Sequence, residues 1–388
     1  MTETADAIVI GAGVQGASTA FHLAERGLRV VVIERGALAS GATGRSSGLV
    51  RMHYDLEPEA RLAWASFPYF RDWRDRVGGE CGFTRTGFLQ LYARDAEARL
   101  RDNVAMQQAI GIPTLLVNAD DVRRLAPAFE TSDFDWAAYE PESGYADPSG
   151  TTSALLTTAR ERGSRLVQGA AVTAIDAEGG RVTRVETTRG AFSAPVIVDA
   201  AGAWAAQVAW LVGLDVPVTT WRHDTAYFRR PASLAAGHPT VIDDGNAMYF
   251  RPEGRDLTLV GLEDDAAIGG EPEDSLQPES GFVERAVERI CRRIPEMADG
   301  EMHSAQRGQD GMTPDQRPIL AHAGPDGFYL QCGFSGTGFK TAPAVGACMA
   351  ELIVDGRPST VDISPFALDR FAGVRLLAGA HEDRPTWR

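Results

Sequence analysis

Lysine is almost missing from this chain of 388 residues. Basic side chains number 38, and all of them are arginine except Lys340. Acidic side chains number 53, which leaves a formal net charge of −15 and no basic stripe to neutralise nucleic-acid phosphates. Codon bias in a GC-rich genome explains the ratio of arginine to lysine, but it does not explain where Lys340 stands. The sequence therefore predicts no nucleic-acid partner and makes Lys340 a residue of interest.

Cysteine is scarce as well, and long apolar runs are missing. Cys81, Cys291, Cys332 and Cys348 are spaced too widely for a zinc or iron–sulfur motif, so we expect no metal site. No apolar run approaches the roughly 18 residues of a membrane span. The acidic first residues, 1–6, lack the features of a secretion signal. We therefore expect a globular protein of a reducing, cytoplasmic compartment with no membrane partner.

A glycine-rich turn stands between two apolar runs near the start of the sequence. Ala7–Ile10 and Val30–Ile33 predict buried parallel strands, and Ala17–Arg26 predicts a helix between them. Residues 11–16 read Gly-Ala-Gly-Val-Gln-Gly, and Glu34 ends the second strand. A strand, a G-x-G-x-x-G turn, a helix and an acid in this order indicate a dinucleotide-binding unit.

Each residue of this unit has a mechanical role. Gly11 permits the tight turn, Gly13 lets the backbone approach a pyrophosphate, and Gly16 lets the helix pack closely on the strand. The helix N-terminus offers amide donors to the phosphates. Glu34 suits ribose hydroxyls and argues against a 2′-phosphate. Since the fingerprint occurs once in the sequence, we predict one bound dinucleotide, either FAD or NAD.

Four later segments follow one another in a specific order. They read Gly-Tyr-Ala-Asp-Pro at 144–148, Val-Ile-Val-Asp-Ala-Ala-Gly-Ala-Trp at 196–204, Thr-Pro-Asp-Gln-Arg-Pro-Ile-Leu at 313–320 and Gly-Phe-Ser-Gly-Thr-Gly-Phe-Lys at 333–340. Together they resemble the D-amino-acid oxidase superfamily of flavoproteins, in particular the branch of sarcosine oxidase, sarcosine dehydrogenase and the proline dehydrogenase β-subunit. The resemblance covers nearly the whole chain. It implies FAD as cofactor and hydride transfer to flavin N5 from a small secondary or N-methyl amino acid.

The resemblance also implies an α/β (α+β mixed) fold. We expect a Rossmann-like FAD-binding domain and a discontinuous substrate domain built on an antiparallel sheet. The FAD-binding domain would comprise 1–44, 143–215 and 307–371, the substrate domain 45–142 and 216–306, and the C-terminal tail 372–388.

The resemblance further implies which residues surround FAD. These are Gly11, Gly13, Val14, Gln15, Gly16, Glu34, Arg35, Thr43, Gly44, Arg45, Ser46, Val172, Ala201, Gly202, Trp204, Gly311, Gly336, Thr337, Gly338, Phe339 and Lys340. Covalent relatives tether FAD through a cysteine before the Thr-Pro-Asp motif or through a histidine in the second glycine-rich loop. Here 307–311 contain no cysteine, and Arg45 takes the place of the histidine. We therefore predict non-covalent FAD.

Four candidate catalytic residues are Arg51, Lys340, His53 and Glu263. Arg51 and Lys340 match the two cations that hold the substrate carboxylate in the sarcosine oxidase branch, and a guanidinium with an ammonium suits that group. His53 would share a face with Arg51 if this segment is a strand, although a core or surface histidine is the alternative. Glu263 stands where relatives have a histidine. Ordinary surface cations are the alternative for Arg51 and Lys340.

The electron acceptor and the substrate stay open at this point. The oxygen-activating lysine of monomeric sarcosine oxidases is matched by Thr258 or Leu259, so the acceptor is either O₂ or another molecule such as a quinone or flavoprotein. The same fold could also oxidise a 2-hydroxy acid or a ring in a biosynthetic intermediate. A third hypothesis is a flavin-carrying subunit of a hetero-oligomeric dehydrogenase. The oligomeric state is open.

Overall fold

The computed structural model describes residues 3–234, 237–263, 268–274, 277–373 and 376–378. Within these residues the helices are α1 (Val14–Glu25), α2 (Glu57–Arg71), α3 (Trp73–Arg76), α4 (Glu97–Ile110), α5 (Ala119–Leu125), α6 (Pro148–Glu161), α7 (Ala205–Trp210), α8 (Phe282–Arg293) and α9 (Gly338–Asp355). The strands are β1 (Glu3–Thr4), β2 (Ala7–Ile10), β3 (Val30–Glu34), β4 (Leu49–Val50), β5 (Thr84–Arg85), β6 (Phe88–Leu91), β7 (Leu115–Asn118), β8 (Trp136–Glu140), β9 (Gly144–Tyr145), β10 (Arg165–Gln168), β11 (Val172–Glu178), β12 (Arg181–Thr187), β13 (Gly190–Ser193), β14 (Ile197–Asp199), β15 (Thr219–Arg229), β16 (Thr240–Asp243), β17 (Met248–Glu253), β18 (Leu257–Leu262), β19 (Glu301–Met312), β20 (Ile319–His322) and β21 (Phe328–Cys332).

A six-stranded sheet forms the centre of the first half of the fold. Its order is β10-β3-β2-β14-β21-β20, parallel except for the antiparallel edge strand β20. Successive side chains of β2 enter different cores, since Ala7 and Val9 pack among the helices whereas Ile8 and Ile10 pack on the opposite face. The continuous apolar runs of the sequence thus correspond to strands buried on both faces.

Different layers cover the two faces of this sheet. Helices α1, α2, α6 and α9 contribute to the core on one face. The other face packs against α7 and a four-stranded sheet of order β1-β13-β12-β11. Helices α1 and α9 approach closely because Gly346 has no side chain, and a Cβ there would lie 2.2 Å from the Ser18 hydroxyl oxygen. This packing places the N-termini of α1 and α9 near each other.

An eight-stranded sheet forms the second half, in the order β19-β15-β18-β17-β16-β6-β8-β7. Its pairs are antiparallel except for β16 with β6, which run parallel, so the sheet is mixed rather than purely antiparallel. Residues of α5 and α8 join the core that covers one face of it. A small sheet of order β4-β9-β5 lies where the chain crosses between the two halves.

Two segments depart from the expected partition. The boundary predicted between residues 306 and 307 falls inside β19, which pairs along its length with β15 of the eight-stranded sheet. Helix α2, expected in the substrate domain, instead packs against α9 beside the dinucleotide-type sheet. Motif order had set the first boundary, whereas strand pairing decides where the chain lies. Of the predicted tail, 374–375 and 379–388 lie outside the described residues, and the Leu377 amide donates to Asp315.

Across the described part of the chain, every helix is too short or too polar to cross a membrane. The same residues contain no group of three or more histidine, cysteine, aspartate or glutamate side chains that could hold a metal ion.

Candidate functional site

One elongated cavity of about 850 Å³ runs between the two large sheets. That volume lies in the upper part of the range for small-molecule and cofactor sites. At one end the wall comes from the ends of β2 and β3, the start of α1 and the segment after β14. At the other end it comes from the start of α9 and from strands of the eight-stranded sheet. The cavity therefore joins the glycine-rich turn to the second half of the fold.

The glycine-rich turn is closed by contacts that only glycine allows. Gly11 has φ +107°, and a Cβ there would lie 2.4 Å from the Ala200 carbonyl oxygen. Gly13 lines the cavity, and Gly16 lies behind it inside α1, where a Cβ would lie 2.1 Å from the Gly11 carbonyl oxygen. Helix α1 begins at Val14, so its first amides point toward the cavity end where a pyrophosphate would sit. This cradle fits a dinucleotide.

Acidic and aromatic groups complete the dinucleotide end. Glu34 accepts a hydrogen bond from the Ala12 amide at 2.9 Å and lines the cavity, so it ties the turn to β3. The guanidinium of Arg35 lies 3.8 Å over the Trp204 ring, and both residues line the wall. These positions suit a ribose and the adenine next to it.

The strand that returns to the sheet carries a buried acid next to the cavity. Asp199, at the end of β14, accepts a hydrogen bond from the Ala201 amide at 3.0 Å through Oδ1. Burial raises the pKa of Asp199 to about 8, with that amide acting in the opposite direction. Asp199 is therefore a protonated acid at neutral pH, and it holds the turn at 200–202 that lines the cavity.

A second helix N-terminus contributes to the cavity wall. The α9 helix begins at Gly338, immediately after the turn of the second glycine-rich motif. The Gly336 amide donates to the Asp310 carboxylate at 2.8 Å, and Thr337 caps the turn by donating to the Phe334 carbonyl. Lys340 lines the cavity, is 6% exposed, and donates to the Gly336 carbonyl at 3.3 Å. An ammonium is thus held in the first turn of α9.

Aromatic and aliphatic side chains enclose the far end of the cavity. The rings of Trp221 and His223 stack with centroids 4.5 Å apart, and Tyr249 lies over Gly261, where a Cβ would be 2.1 Å from the tyrosine ring. Burial raises the pKa of Tyr249 well above its usual value, and the neighbouring Glu263 carboxylate raises it further. Glu263 also lines the cavity.

Most of the predicted cofactor residues line this cavity. They are Gly11, Gly13, Val14, Gln15, Glu34, Arg35, Thr43, Arg45, Ser46, Val172, Ala201, Gly202, Trp204, Gly336, Gly338, Phe339 and Lys340. The predicted residues that do not line it are Gly16, Gly44, Gly311 and Thr337. Three of these are glycines that allow backbone segments to approach each other, as Gly44 does near the Ala39 carbonyl and Gly311 near the Gly202 carbonyl.

Arg51 and His53 also lie outside the cavity lining, which corrects the expectation for both. The β4 strand ends at Val50, so residues 51–54 are irregular and do not alternate between two faces. Arg51 is 2% exposed and donates to the His53 carbonyl, and its guanidinium lies 4.5 Å over the Tyr54 ring. Lys340 approaches the same ring from the cavity, at 5.8 Å. Arg51 and Lys340 therefore share the Tyr54 ring as a neighbour.

His53 is a core residue. Its Nε2 lies 2.9 Å from the Tyr92 hydroxyl, and the side chain is fully enclosed. Burial lowers the pKa of His53 to about 3, and the nearby Arg51 lowers it as well. His53 is therefore neutral near pH 7 and cannot serve as a proton acceptor that switches near neutrality.

The positions matched to an oxygen-activating lysine also lie away from the cavity. The Thr258 hydroxyl contacts His238 at 2.9 Å inside the eight-stranded sheet, and Leu259 is completely buried.

Sequence reasoning missed Leu49, Trp221, Ile242 and Tyr249, which line the cavity. The one available signal was Gly261, since a glycine inside a strand often marks the close approach of another group.

Comparison with known proteins agrees with this geometry. A family model described as DAO, FAD dependent oxidoreductase, matches residues 6–352. The chain is 29% identical to mitochondrial sarcosine dehydrogenase of Mus musculus over 96% of its own length and 42% of that protein's length. It is 27% identical to glycine oxidase of Geobacillus kaustophilus over 96% and 99% of the two chains. The chain thus spans less than half of the sarcosine dehydrogenase that it matches.

Solved structures show the same likeness. The crystal structure of L-proline dehydrogenase from P. horikoshii superposes with a TM-score of 0.90 at 26% identity, over 97% of this chain and 100% of the other. Glycine oxidase from Geobacillus kaustophilus gives a TM-score of 0.83, also at 26% identity, over 95% and 99%. Since the family model covers most of the sequence and the dinucleotide cradle is intact, this chain belongs to the DAO family of FAD-dependent oxidoreductases.

Proposed function

We propose that this protein oxidises the C–N bond of a small amino acid that binds as a zwitterion, with a secondary or N-methyl amine as the preferred class. The observation that carries the proposal is that Lys340 and Glu263 line one cavity whose other end is the dinucleotide cradle. An ammonium and a carboxylate in one enclosed site match the two charges of an amino acid.

Lys340 would hold the substrate carboxylate. It stands in the first turn of α9, where the positive end of the helix adds to the charge of the ammonium. The other cavity-lining cations among the described residues, Arg35 and Arg45, serve the dinucleotide end. Arg35 stacks on Trp204, and Arg45 donates to the Gly41 carbonyl at 3.1 Å.

Glu263 and Tyr249 would receive the amine. The carboxylate accepts hydrogen bonds from an ammonium, and the tyrosine, whose pKa is raised, stays a neutral hydrogen-bond donor and acceptor. Bound FAD would accept a hydride, which carries both electrons, from the carbon next to nitrogen once the ammonium has passed its extra proton to the Glu263 carboxylate. The protein's task is then to orient that carbon and keep water away from it.

The wall between these charged groups limits the size of the substrate. Leu49 and Ile242 present aliphatic surface, and the stacked pair of Trp221 and His223 closes another side. Such a wall favours a compact apolar substituent on the amino acid. The names of the similar proteins, sarcosine dehydrogenase, glycine oxidase and L-proline dehydrogenase, all refer to small amino acids and support this substrate class.

Anaerobic mixing of the FAD-loaded protein with a panel of substrates tests the proposal. The panel contains sarcosine, proline, glycine, D-amino acids and 2-hydroxy acids, and the measurement is bleaching of the visible flavin band. We expect the fastest bleaching with a secondary or N-methyl amino acid. Bleaching by hydroxy acids alone would replace the proposal with oxidation of 2-hydroxy acids, and no bleaching by any carboxylated amine would defeat it.

Substitution of Glu263 by glutamine should weaken binding of the amine. We expect the substrate Kd to rise about tenfold, because loss of one charge-assisted hydrogen bond costs ~1.5 kcal/mol. Anaerobic titration of the flavin spectrum measures this Kd. Binding of acetate, which has no amine, should be unchanged in the same variant. An equal loss for acetate and for the amino acid would contradict the assignment of Glu263 to the amine.

FAD should leave the protein on denaturation. The position that could carry a histidyl bond holds Arg45, and Cys332 and Cys348 are buried away from the cavity lining. We therefore expect acid precipitation to leave a colourless pellet and a yellow supernatant. Yellow colour that stays with the precipitated protein would contradict non-covalent binding.

Reoxidation of the reduced protein by O₂ should be slow. Among the described residues that line the cavity, Lys340 is assigned to the substrate carboxylate and both arginines to the dinucleotide end, so no further cation lies beside the substrate. The native acceptor would then be a quinone or another flavoprotein. Stopped-flow mixing with O₂ measures this rate, and oxidation as fast as that of efficient oxidases would contradict it.

A further inference from the structure

Glu59 is a buried carboxylate that the proposed reaction has not used. It lies in the first turn of α2 and is 1% exposed, whereas the side chain of Glu57, two residues earlier, is 52% exposed. Neither of its carboxylate oxygens has a hydrogen-bond partner in the described part of the chain. Its nearest charged neighbour is Arg317, whose Nε lies 2.9 Å from Oε2. A buried carboxylate with so few donors is costly, so its position calls for an electrostatic reason.

The charged groups around Glu59 come from three separate segments. Arg317 follows the Thr-Pro-Asp motif and also bonds Asp55 at 2.9 Å. Arg51 and Tyr54 lie in the irregular segment after β4, and Lys340 lies on α9. Asp55 and Glu59 thus supply two negative charges against the three cations Arg51, Arg317 and Lys340.

The Tyr54 ring connects this cluster to the cavity. The Arg51 guanidinium lies 4.5 Å from the centre of the ring, and the Lys340 ammonium lies 5.8 Å from it. Since Lys340 lines the cavity and Glu59 does not, any effect of Glu59 on a ligand passes through the field at Lys340 and Arg51. Because Arg51, Glu59 and Lys340 are buried, the field between them is screened little.

We propose that Glu59 is a positioning residue that sets the net positive charge offered to the substrate carboxylate by Lys340 and Arg51. This inference rests on the proposed function, because it requires a carboxylate at Lys340. Protonation of Glu59 makes the net charge of this cluster more positive by one. The neutral form therefore favours binding of an anion.

The protonation behaviour of Glu59 fits this role. Burial raises the pKa of Glu59 to about 7, Asp55 raises it further, and the cations Arg317, Arg51 and Lys340 act in the opposite direction. Glu59 is then neutral below pH 7 and ionised above it. Carboxylate binding should accordingly be strong at pH 6 and weaker at pH 8.5, and binding of the anion should draw a proton onto Glu59 near neutrality.

Acetate is the probe for this inference, with acetamide as its uncharged counterpart. Titration of the flavin spectrum of the FAD-loaded protein should give an acetate Kd about tenfold higher at pH 8.5 than at pH 6. Glu59→Gln should remove that difference and keep the tight Kd at both pH values. Glu57→Gln, the control on the same helix turn, should behave as the wild type. A pH dependence that is unchanged in Glu59→Gln would overturn the inference.

Calorimetry gives a second test, which does not require the Glu59 variant to fold. Acetate binding at pH 7, measured in buffers of different ionisation enthalpy, should take up a fraction of a proton. His223 is a histidine of the cavity lining and is a second group that could take up this proton. The His223→Asn variant should therefore keep the uptake if Glu59 is its source. Absence of uptake in the wild type, or its loss in His223→Asn, would overturn the role of Glu59. If the wild type does not bind acetate at either pH, then the carboxylate site at Lys340 is wrong and the proposed function fails with it.

Discussion

Replacing Lys340 with methionine is expected to raise the KM for a carboxylated amine by about 50-fold while FAD stays bound. Removal of one charge-assisted contact from an enclosed site costs ~2 kcal/mol or somewhat more, which corresponds to this change. Methionine keeps the length of the side chain and suits the α9 helix. The effect should therefore come from the lost charge rather than from a cavity or a broken helix.

Three measurements separate this effect from a structural one. The ratio of visible flavin absorbance to protein absorbance reports FAD content, the thermal midpoint reports folding, and acetate titration reports the carboxylate site. We expect the first two to stay close to the wild type and the third to weaken as KM does. Lys340→Arg should recover only part of the affinity, since a planar guanidinium does not replace a compact ammonium. An unchanged KM in Lys340→Met would leave codon bias as the explanation of the single lysine.

The family resemblance predicted Lys340 in the cavity wall, and a sequence-local rule explains why it lies there. A glycine-rich turn that leads into a helix puts the first helical residues next to whatever the turn surrounds. The turn at 333–337 and the start of α9 at Gly338 follow this pattern. The same rule predicted the turn before α1, where the cavity wall again includes the glycines and the first helical residues.

Arg51 shows where local rules fail. Arg51 was assigned through the family resemblance, and its shared face with His53 was conditional on a strand at these residues. The β4 strand is only two residues long because its partner β9 is also two residues long, so nothing continues the pleat past Val50. Arg51 then turns into the core toward Tyr54. The length of a paired strand depends on a partner almost 100 residues away, which no local pattern contains.

The places of Trp221 and His223 in the cavity lining could not be predicted from local sequence either. Trp221 and His223 lie on β15, which pairs with β18 on one side and with β19 on the other. The sequence of such a central strand does not tell which of its two faces contacts a ligand. The face is chosen by the layer that packs on the sheet. Gly308 on β19 faces His223, and a Cβ there would lie 2.9 Å from the histidine ring. That match between two strands became visible only once the pairing was known.

Substitution of Gly16 by alanine is expected to lower the thermal midpoint of the FAD-loaded protein by about 4 °C and to cause loss of FAD. A Cβ at this position would lie 2.1 Å from the Gly11 carbonyl oxygen and 3.1 Å from a methyl of Val9. Neither the turn at Gly11 nor helix α1 can move easily. The Gly11 amide donates to the Ile33 carbonyl at 2.8 Å, and α1 is buried along almost its whole length. Overpacking of this kind costs ~3 kcal/mol.

Loss of FAD should exceed what the lower stability alone produces. Helix α1 must move away from β2 to admit the methyl group, and that movement withdraws the helix amides from the pyrophosphate position. FAD retention during gel filtration measures the effect at a temperature where the variant is folded. Gly373→Ala is the matched control, since a Cβ there meets nothing within 4 Å and the residue lies far from α1 in sequence. Full FAD retention by Gly16→Ala, together with an unchanged thermal midpoint, would show that α1 is not held against β2 as closely as these contacts require.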